Sequence, residues 1–203
     1  MKIALIGATG NVGTRIAAEA LSRGHLVTGI ARRPEKLNPL AGLTAARGDL
    51  ADPEALSAVL RGHDAAVSAA RFQGTDPHWI LSAVRKAGVA RLLVVGGAGS
   101  LEIASGEALV DTPDFPAAYK PEALAGRDCL NVLRGETELD WTFLSPSALL
   151  LPGERTGKFR LGGDRLLVGA DGRSAISMED YAVAVVDELE SPKHSRRRFT
   201  AGY

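Results

Sequence analysis

The stretch Lys2-Ile3-Ala4-Leu5-Ile6-Gly7-Ala8-Thr9-Gly10-Asn11-Val12-Gly13 decides the fold. Four apolar residues in a row, Ile3 to Ile6, read as a strand buried on both faces. Residues 11–23 read as a helix, because Val12, Ile16 and Ala20 recur at four-residue spacing with Ala17 and Leu21 beside them. Gly24 ends it, as a residue tolerant of positive φ. Between strand and helix lie three glycines. Gly7 permits a tight turn, Gly10 leaves room for a pyrophosphate to approach the backbone, and Gly13 lets the helix pack close to the sheet. The turn's amides and the positive helix end then attract phosphates. The G-x-x-G-x-x-G spacing departs by one residue from G-x-G-x-x-G. A glycine triplet alone is a weak signal; its position between a strand and a helix gives it weight. All seven residues, Gly7, Ala8, Thr9, Gly10, Asn11, Val12 and Gly13, are therefore expected at a dinucleotide cofactor.

Outward from this turn, short apolar runs alternate with helical stretches. Strands are expected at Leu26–Ala31, Leu43–Arg47, Ala65–Ser68 and Arg91–Val95, and helices at Pro53–Leu60 and 76–87. Asp52 followed by Pro53 is an N-cap with proline at the first helical position. Alternation every ~20 residues is the signature of right-handed βαβ units. The second half is looser. Residues 96–121 hold repeated Gly and Pro and read as a long loop, of the kind that forms functional lids. A helix is expected over 122–133, a strand over 141–144, a helix over 178–189 capped by Ser177, and a last strand over 196–200. Residues 153–172 read as a hairpin with arms 158–161 and 165–168. The expected fold is α/β: one domain over 1–203, a Rossmann-like doubly wound parallel sheet with helices on both faces. Residues 151–177 and 191–203 are expected to form a small C-terminal substrate region.

Several positions around the strand ends carry chemistry. The second strand runs into Arg32-Arg33, where an NAD-preferring site usually has Asp or Glu. A planar guanidinium fork suits a 2′-phosphate. NADP(H) is thus expected over NAD(H), with Lys36 placed to assist; an ordinary solvated basic face is the alternative. Asp49, with Leu50 beside it, follows the third strand, where it can accept from an adenine amino group or cap an Asx-turn. Ala69 and Ala70 are small enough for a ribose to lie across the strand ends. Phe72, His78 and Trp79 are candidates for one wall of a substrate pocket. Phe115, Pro116 and Tyr119 are candidates for a mobile aromatic lid.

Composition excludes other classes. With 24 Lys+Arg against 24 Asp+Glu the formal charge is zero, which argues against binding nucleic acid through its phosphates. A single cysteine, Cys129, excludes an internal disulfide, and four scattered histidines give no metal-ligand spacing. No apolar run approaches the ~18 residues of a membrane span, and Ile3 to Ile6 is too short for a signal-peptide core. A cytoplasmic protein, monomer or homodimer, is the expectation.

The 7–13 turn, the Gly48-Asp49 pair and the glycine-rich end of the fifth strand together resemble the short-chain dehydrogenase/reductase superfamily. More narrowly, the chain resembles its atypical NAD(P)H-binding members, including proteins proposed to be NADH–flavin reductases and the biliverdin reductase B/flavin reductase type. Val94-Val95-Gly96-Gly97-Ala98-Gly99-Ser100-Leu101, Asp111-Thr112-Pro113-Asp114-Phe115-Pro116 and Asp140-Trp141-Thr142-Phe143-Leu144-Ser145-Pro146 carry the resemblance most specifically. Pro152-Gly153-Glu154-Arg155-Thr156-Gly157 and Ile176-Ser177-Met178-Glu179-Asp180-Tyr181-Ala182 extend it. The resemblance implies a bound nicotinamide dinucleotide, with Gly96 and Gly97 beside it and Pro146 packed against the nicotinamide. Lys120, at the start of the helix after the fifth strand, and Ser147 are the candidate catalytic residues, Lys120 at the nicotinamide ribose, with a surface cation as the alternative, and Ser147 orienting substrate or the nicotinamide amide.

The departures bear on the chemistry. Most of the superfamily uses Tyr-x-x-x-Lys as proton donor and cofactor anchor. Here Tyr119 has Ala123 at the lysine spacing, Tyr181 has Val185, and Tyr203 ends the sequence. Gly96 and Gly97 replace the usual strand-five serine, and Ser145-Pro146-Ser147 stands where related flavin reductases place a histidine. Ordinary carbonyl reduction thus lacks its usual acid. Flavin or quinone reduction asks less, chiefly proximity of two planar rings. Hydride transfer to such an acceptor is the first expectation. A nucleotide-sensing regulator of NmrA-like type is the second, and nucleotide-sugar epimerase or dehydratase chemistry the weakest.

Overall fold

The computed structural model describes all 203 residues. Its elements run β1 (Lys2–Ile6), α1 (Asn11–Ser22), β2 (Leu26–Ala31), β3 (Leu43–Arg47), α2 (Pro53–Leu60), β4 (Ala65–Ser68), α3 (Pro77–Ala87) and β5 (Arg91–Val95). Then follow α4 (Lys120–Arg134), β6 (Asp140–Pro146), β7 (Leu149–Leu151), β8 (Arg160–Gly162), β9 (Ala175–Ser177), α5 (Met178–Glu190) and β10 (Arg197–Gly202). Eight strands form one sheet in the order β3-β2-β1-β4-β5-β6-β10-β8. All pairs are parallel except β10 with β8. The chain winds outward from β1 to one edge, then returns to β4 and winds to the other. The crevice beside β1 and β4 is therefore the switch point where ligands of open α/β sheets bind.

Strand alternation sends successive side chains to opposite faces, and both faces are covered. Ile3 and Leu5 pack with Ile16 of α1 and Tyr181 and Val185 of α5. Ala4 and Ile6 pack with Leu56 and Leu60 of α2 and Val84 of α3 on the other side. This is why the strands read as continuous apolar runs rather than alternating ones. Local signals hold at the helix starts. Asp52 accepts from the Ala55 amide at 3.0 Å, and Ser177 from the Asp180 amide at 2.9 Å.

The C-terminal third differs from expectation. Residues 158–161 and 165–168 do not pair as a hairpin. Instead β8 pairs antiparallel with β10, setting Gly162 opposite Thr200, while the only bridge from the second arm joins Arg165 to Glu102. Segment 191–203 is not part of a separate substrate region, because β10 lies parallel to β6 in the main sheet and buries Phe199 and Ala201 in its core. Leu149–Leu151 and Ala175–Ser177 form a small two-stranded parallel sheet of their own. The loop after β5 is also more built than expected. It carries 3₁₀ turns at Leu109–Asp111 and Ala117–Tyr119, and it buries Leu101 and Val110 completely.

Buried carboxylates tie the 153–157 loop to the helices. Asp180, fully buried, accepts from the Thr156 and Gly157 amides at 2.8 and 2.7 Å and from the Tyr203 hydroxyl at 2.9 Å. Burial pushes its pKa up, but a hydrogen bond from the Thr156 hydroxyl together with these others outweighs burial and holds the carboxyl below its ordinary value. Glu19 of α1 is likewise held low, first by its hydrogen bonds to Arg155, then against burial by Arg23. A carboxyl whose pKa is depressed on folding contributes stability above its unfolded value, near pH 4, and loses it as pH falls through the folded value. Stability measured by urea unfolding is therefore expected to decline steeply below about pH 4. Asp180→Asn should flatten that decline; an unchanged slope would remove Asp180 from the acid transition.

Candidate functional site

The glycine turn is shaped as a phosphate cradle. Gly7 adopts φ +81°, and a Cβ there would sit 2.6 Å from the Ala69 carbonyl oxygen. A Cβ on Gly13 would lie 2.3 Å from the Gly7 oxygen, so only glycine lets α1 start this close to β1. Gly10 is the N-cap of α1 and offers no side chain to its first-turn amides. Those donors and the helix dipole face outward together. Ala8 is fully buried and Val12 packs on the same core, so both shape the turn from beneath. Asn11 is exposed at the first helical position.

Over this turn lies a groove of about 460 Å³ lined by Gly7, Thr9, Gly10, Arg32, Asp49, Leu50, Ala69 and Ala70 among others. Arg32 is exposed and has no carboxylate partner, unlike Arg15, Arg23 and Arg91. Asp49 lines the groove and accepts from the Ala51 amide at 3.1 Å, the Asx-turn read as one of its two alternatives. Arg33 lies outside the groove, at the start of a 3₁₀ turn over Pro34–Lys36. Sequence reasoning missed Arg71, Gln73, Gly74 and Thr75, which complete the far wall. Their signal was position: they follow β4 directly at the switch point. Trp79 also lines this groove rather than a substrate wall.

A second cavity, about 470 Å³, opens beside the first over the ends of β5 and β6. Phe72, Phe115 and Tyr119 form its aromatic walls, with Leu109 and Leu149 adding apolar surface. Gly96 and Gly97 lie on its floor. A Cβ on Gly96 would come within 2.3 Å of the Phe143 ring, so position 96 can only be glycine, whereas a Cβ on Gly97 would meet open space. Because Ser68 of β4 pairs with Val94 of β5, Ala69 and Ala70 of the groove neighbour Gly96 and Gly97 of the cavity. A dinucleotide anchored at the turn would reach the cavity with its distal ring.

Phe72 is held by a device not anticipated from the sequence. Glu122, in the first turn of α4, accepts from the Phe72 and Gln73 amides at 2.8 and 2.9 Å. Phe72 also stacks on Phe143 with centroids 6.0 Å apart. The loop that joins groove to cavity is thus clamped to α4.

Besides Arg33, three residues expected near the nicotinamide or substrate are not brought to either cavity. Lys120 is exposed at the start of α4 and points to neither. Pro146 is buried as the last residue of β6, paired with Ala201. Ser147 is 1% exposed and donates to the Ala201 carbonyl at 3.2 Å, closing the sheet between β6 and β10. The strand simply runs further than its apolar core suggested. Other reactive groups are sequestered. Tyr181 is wholly buried, donates to the Leu144 carbonyl at 2.6 Å, and has its phenol pKa raised by that burial. Burial pushes the Cys129 thiol up to about 12, so it remains protonated at neutral pH.

Fold and site together define a Rossmann-type dinucleotide-binding protein. Over residues 7–192 the chain matches the NAD(P)H-binding family, and it belongs to that family. It is similar to a proposed exported protein of Burkholderia pseudomallei, at 49% identity and TM-score 0.90 with both chains fully covered. It is similar to a proposed epimerase of Bacteroides thetaiotaomicron, at 45% identity and TM-score 0.93, covering 100% of this chain and 96% of that one. A proposed NADH-flavin reductase of Streptococcus pneumoniae aligns at 38% identity and TM-score 0.85, covering 100% and 99%. No helix of the chain is long and apolar enough to cross a membrane.

Proposed function

We propose that this protein is an NADPH-dependent reductase that passes hydride to a planar acceptor such as a flavin or quinone. The observation that carries the reading is the aromatic cavity placed directly beyond the phosphate groove, over adjacent strand ends. When bound, the nicotinamide supplies the hydride, two electrons at once. The turn at 7–13 and Arg32 hold the phosphates. Phe72, Phe115 and Tyr119 sandwich a flat ring, and the glycine floor lets it approach closely. The acceptor's remaining proton comes from water, which suits a cavity without a tyrosine–lysine pair. The name of the Streptococcus relative supports this reading. The epimerase name of the Bacteroides relative fits less well, since such chemistry relies on the tyrosine of a Tyr-x-x-x-Lys pair, which this sequence lacks. A cytoplasmic site of action, drawing on the intracellular nucleotide pool, is part of the proposal.

The test is to follow oxidation of NADPH and of NADH with and without a flavin or a simple quinone. Saturable, acceptor-dependent oxidation is expected. Tight nucleotide binding with no oxidation by any acceptor would instead favour a regulatory nucleotide sensor. Arg32→Glu replaces the free cation with a charge that repels a 2′-phosphate and welcomes a 2′-hydroxyl. It should weaken NADPH binding by roughly 10–100-fold while changing NADH binding little. Equal effects on both would take Arg32 out of the site.

A further inference from the structure

We infer that the acceptor taken by the aromatic cavity is uncharged: a neutral quinone or a flavin without phosphate, rather than a flavin nucleotide. The inference rests on the reductase reading above. Its ground is the charge that lines the cavity. Three charged side chains reach it, Asp114, Glu122 and Arg127. Arg127, the one cation, is already bonded to Asp111 at 2.8 Å. Glu122 accepts two backbone amides and has only Arg71 near it, at 3.7 Å across the loop. Asp114 has no cationic partner at all. The exposed Lys120 does not line the cavity.

The phosphate of a flavin nucleotide would therefore meet the unpaired Asp114 carboxylate and no guanidinium free of a carboxylate partner. The contrast lies within the same molecule. The groove for the dinucleotide keeps Arg32 free of carboxylates, as a phosphate site should. The neighbouring cavity does the reverse. A dinucleotide in the groove would add its own negative pyrophosphate to the field felt by an incoming anion. Specificity here is repulsive: the apolar walls accept any flat ring of suitable size, and the carboxylates turn away those carrying negative charge. The chemistry balances without a further reactant. NADPH loses a hydride and becomes NADP⁺. The quinone or isoalloxazine gains that hydride and one proton from water, giving the hydroquinone or reduced flavin.

Matched pairs of acceptors test this: riboflavin against FMN, and menadione against a sulfonated quinone. With NADPH saturating, the neutral member of each pair is expected to show kcat/KM higher by roughly tenfold or more at low salt. The gap should narrow as ionic strength rises, because Asp114 is exposed and screened. Asp114→Lys should shrink or invert the riboflavin-to-FMN ratio. Binding without turnover gives an independent reading, by quenching of flavin fluorescence in the absence of nucleotide, with the same preference expected. FMN equal to or better than riboflavin, with brisk turnover, would overturn the inference and leave the reductase reading standing. No oxidation of bound NADPH by any of the four acceptors would overturn both.

Discussion

Gly10→Asp is expected to abolish dinucleotide binding while leaving the protein as stable as before. The two effects separate because they act on the same amides. Gly10 is the N-cap of α1, with φ −78° and ψ 163°, a conformation open to any L-residue. Aspartate is among the best N-caps, worth roughly 1 kcal/mol where no cap exists, through a bond from its carboxylate to a first-turn N–H. An added Cβ lies 3.3 Å from the Gly7 oxygen, a tight contact that offsets part of that gain. But the capped amides are the ones a pyrophosphate needs, and the new carboxylate brings a negative charge to the same place. NADPH affinity should fall by roughly 100-fold or more, from lost charge-assisted bonds and added repulsion. Gly13→Ala is the contrasting variant. Its Cβ would stand 2.3 Å from the Gly7 oxygen and 3.0 Å from the Ala8 Cα, so the turn itself must open and both stability and binding should suffer. Nucleotide titration and thermal unfolding of both variants check the pair. Wild-type affinity in Gly10→Asp would mean that the phosphates do not sit at this turn.

The difference between what the sequence disclosed and what it concealed follows the range of the interactions involved. β1 was legible because burial on both faces leaves a continuous apolar run, and its turn because Gly7 and Gly13 stand where a Cβ has no room. Arg32 was legible because it follows a strand in the parallel sheet directly. β7 and β9 were not, since each is three residues long and owes its form to its partner: Leu149 pairs with Ala175, 26 residues away. β8 looked like half of a hairpin because local glycines suggest turns, but its partner is β10, with Gly202 opposite Arg160. The same holds in the site. Phe72, Phe115 and Tyr119 stood out as aromatic residues in loops, and they do converge. The Glu122 clamp on Phe72 and Gln73 was invisible, because a carboxylate in a helix's first turn has a sufficient local explanation in the helix dipole. Lys120, Pro146 and Ser147 entered with the resemblance, and the fold directs all three away from both cavities, as it does Arg33.

Glu188→Ala is the substitution expected to cost the most stability, and it should do so without touching the site. Glu188 is 4% exposed near the end of α5. One carboxylate oxygen accepts from Arg91 at 3.0 Å and from the His194 amide at 2.9 Å; the other pairs with the His194 ring at 2.7 Å. That ring in turn stacks on Phe199 with centroids 3.9 Å apart. Arg91, itself buried at the start of β5, has otherwise only longer bonds to Asp140, to its carbonyl at 3.2 Å and its carboxylate at 3.4 Å, and its Nε has no partner. Removing Glu188 leaves a buried guanidinium with only its long Asp140 contacts and frees the backbone amides of Lys193 and His194. Breaking one side of such a pair costs about 3–5 kcal/mol, a large share of the 5–15 kcal/mol typical of a domain. The melting temperature should drop by roughly 6–20 °C. Replacing both partners with apolar residues, Arg91→Met with Glu188→Leu, should recover much of the loss, since the pair pays for its own desolvation. The pair sits at the N-terminal end of β5, opposite the strand ends that form the groove, so the folded fraction of Glu188→Ala should bind NADPH as the parent does. If Glu188→Ala melts like the parent, water reaches this pair and the network is not the buried anchor its geometry describes.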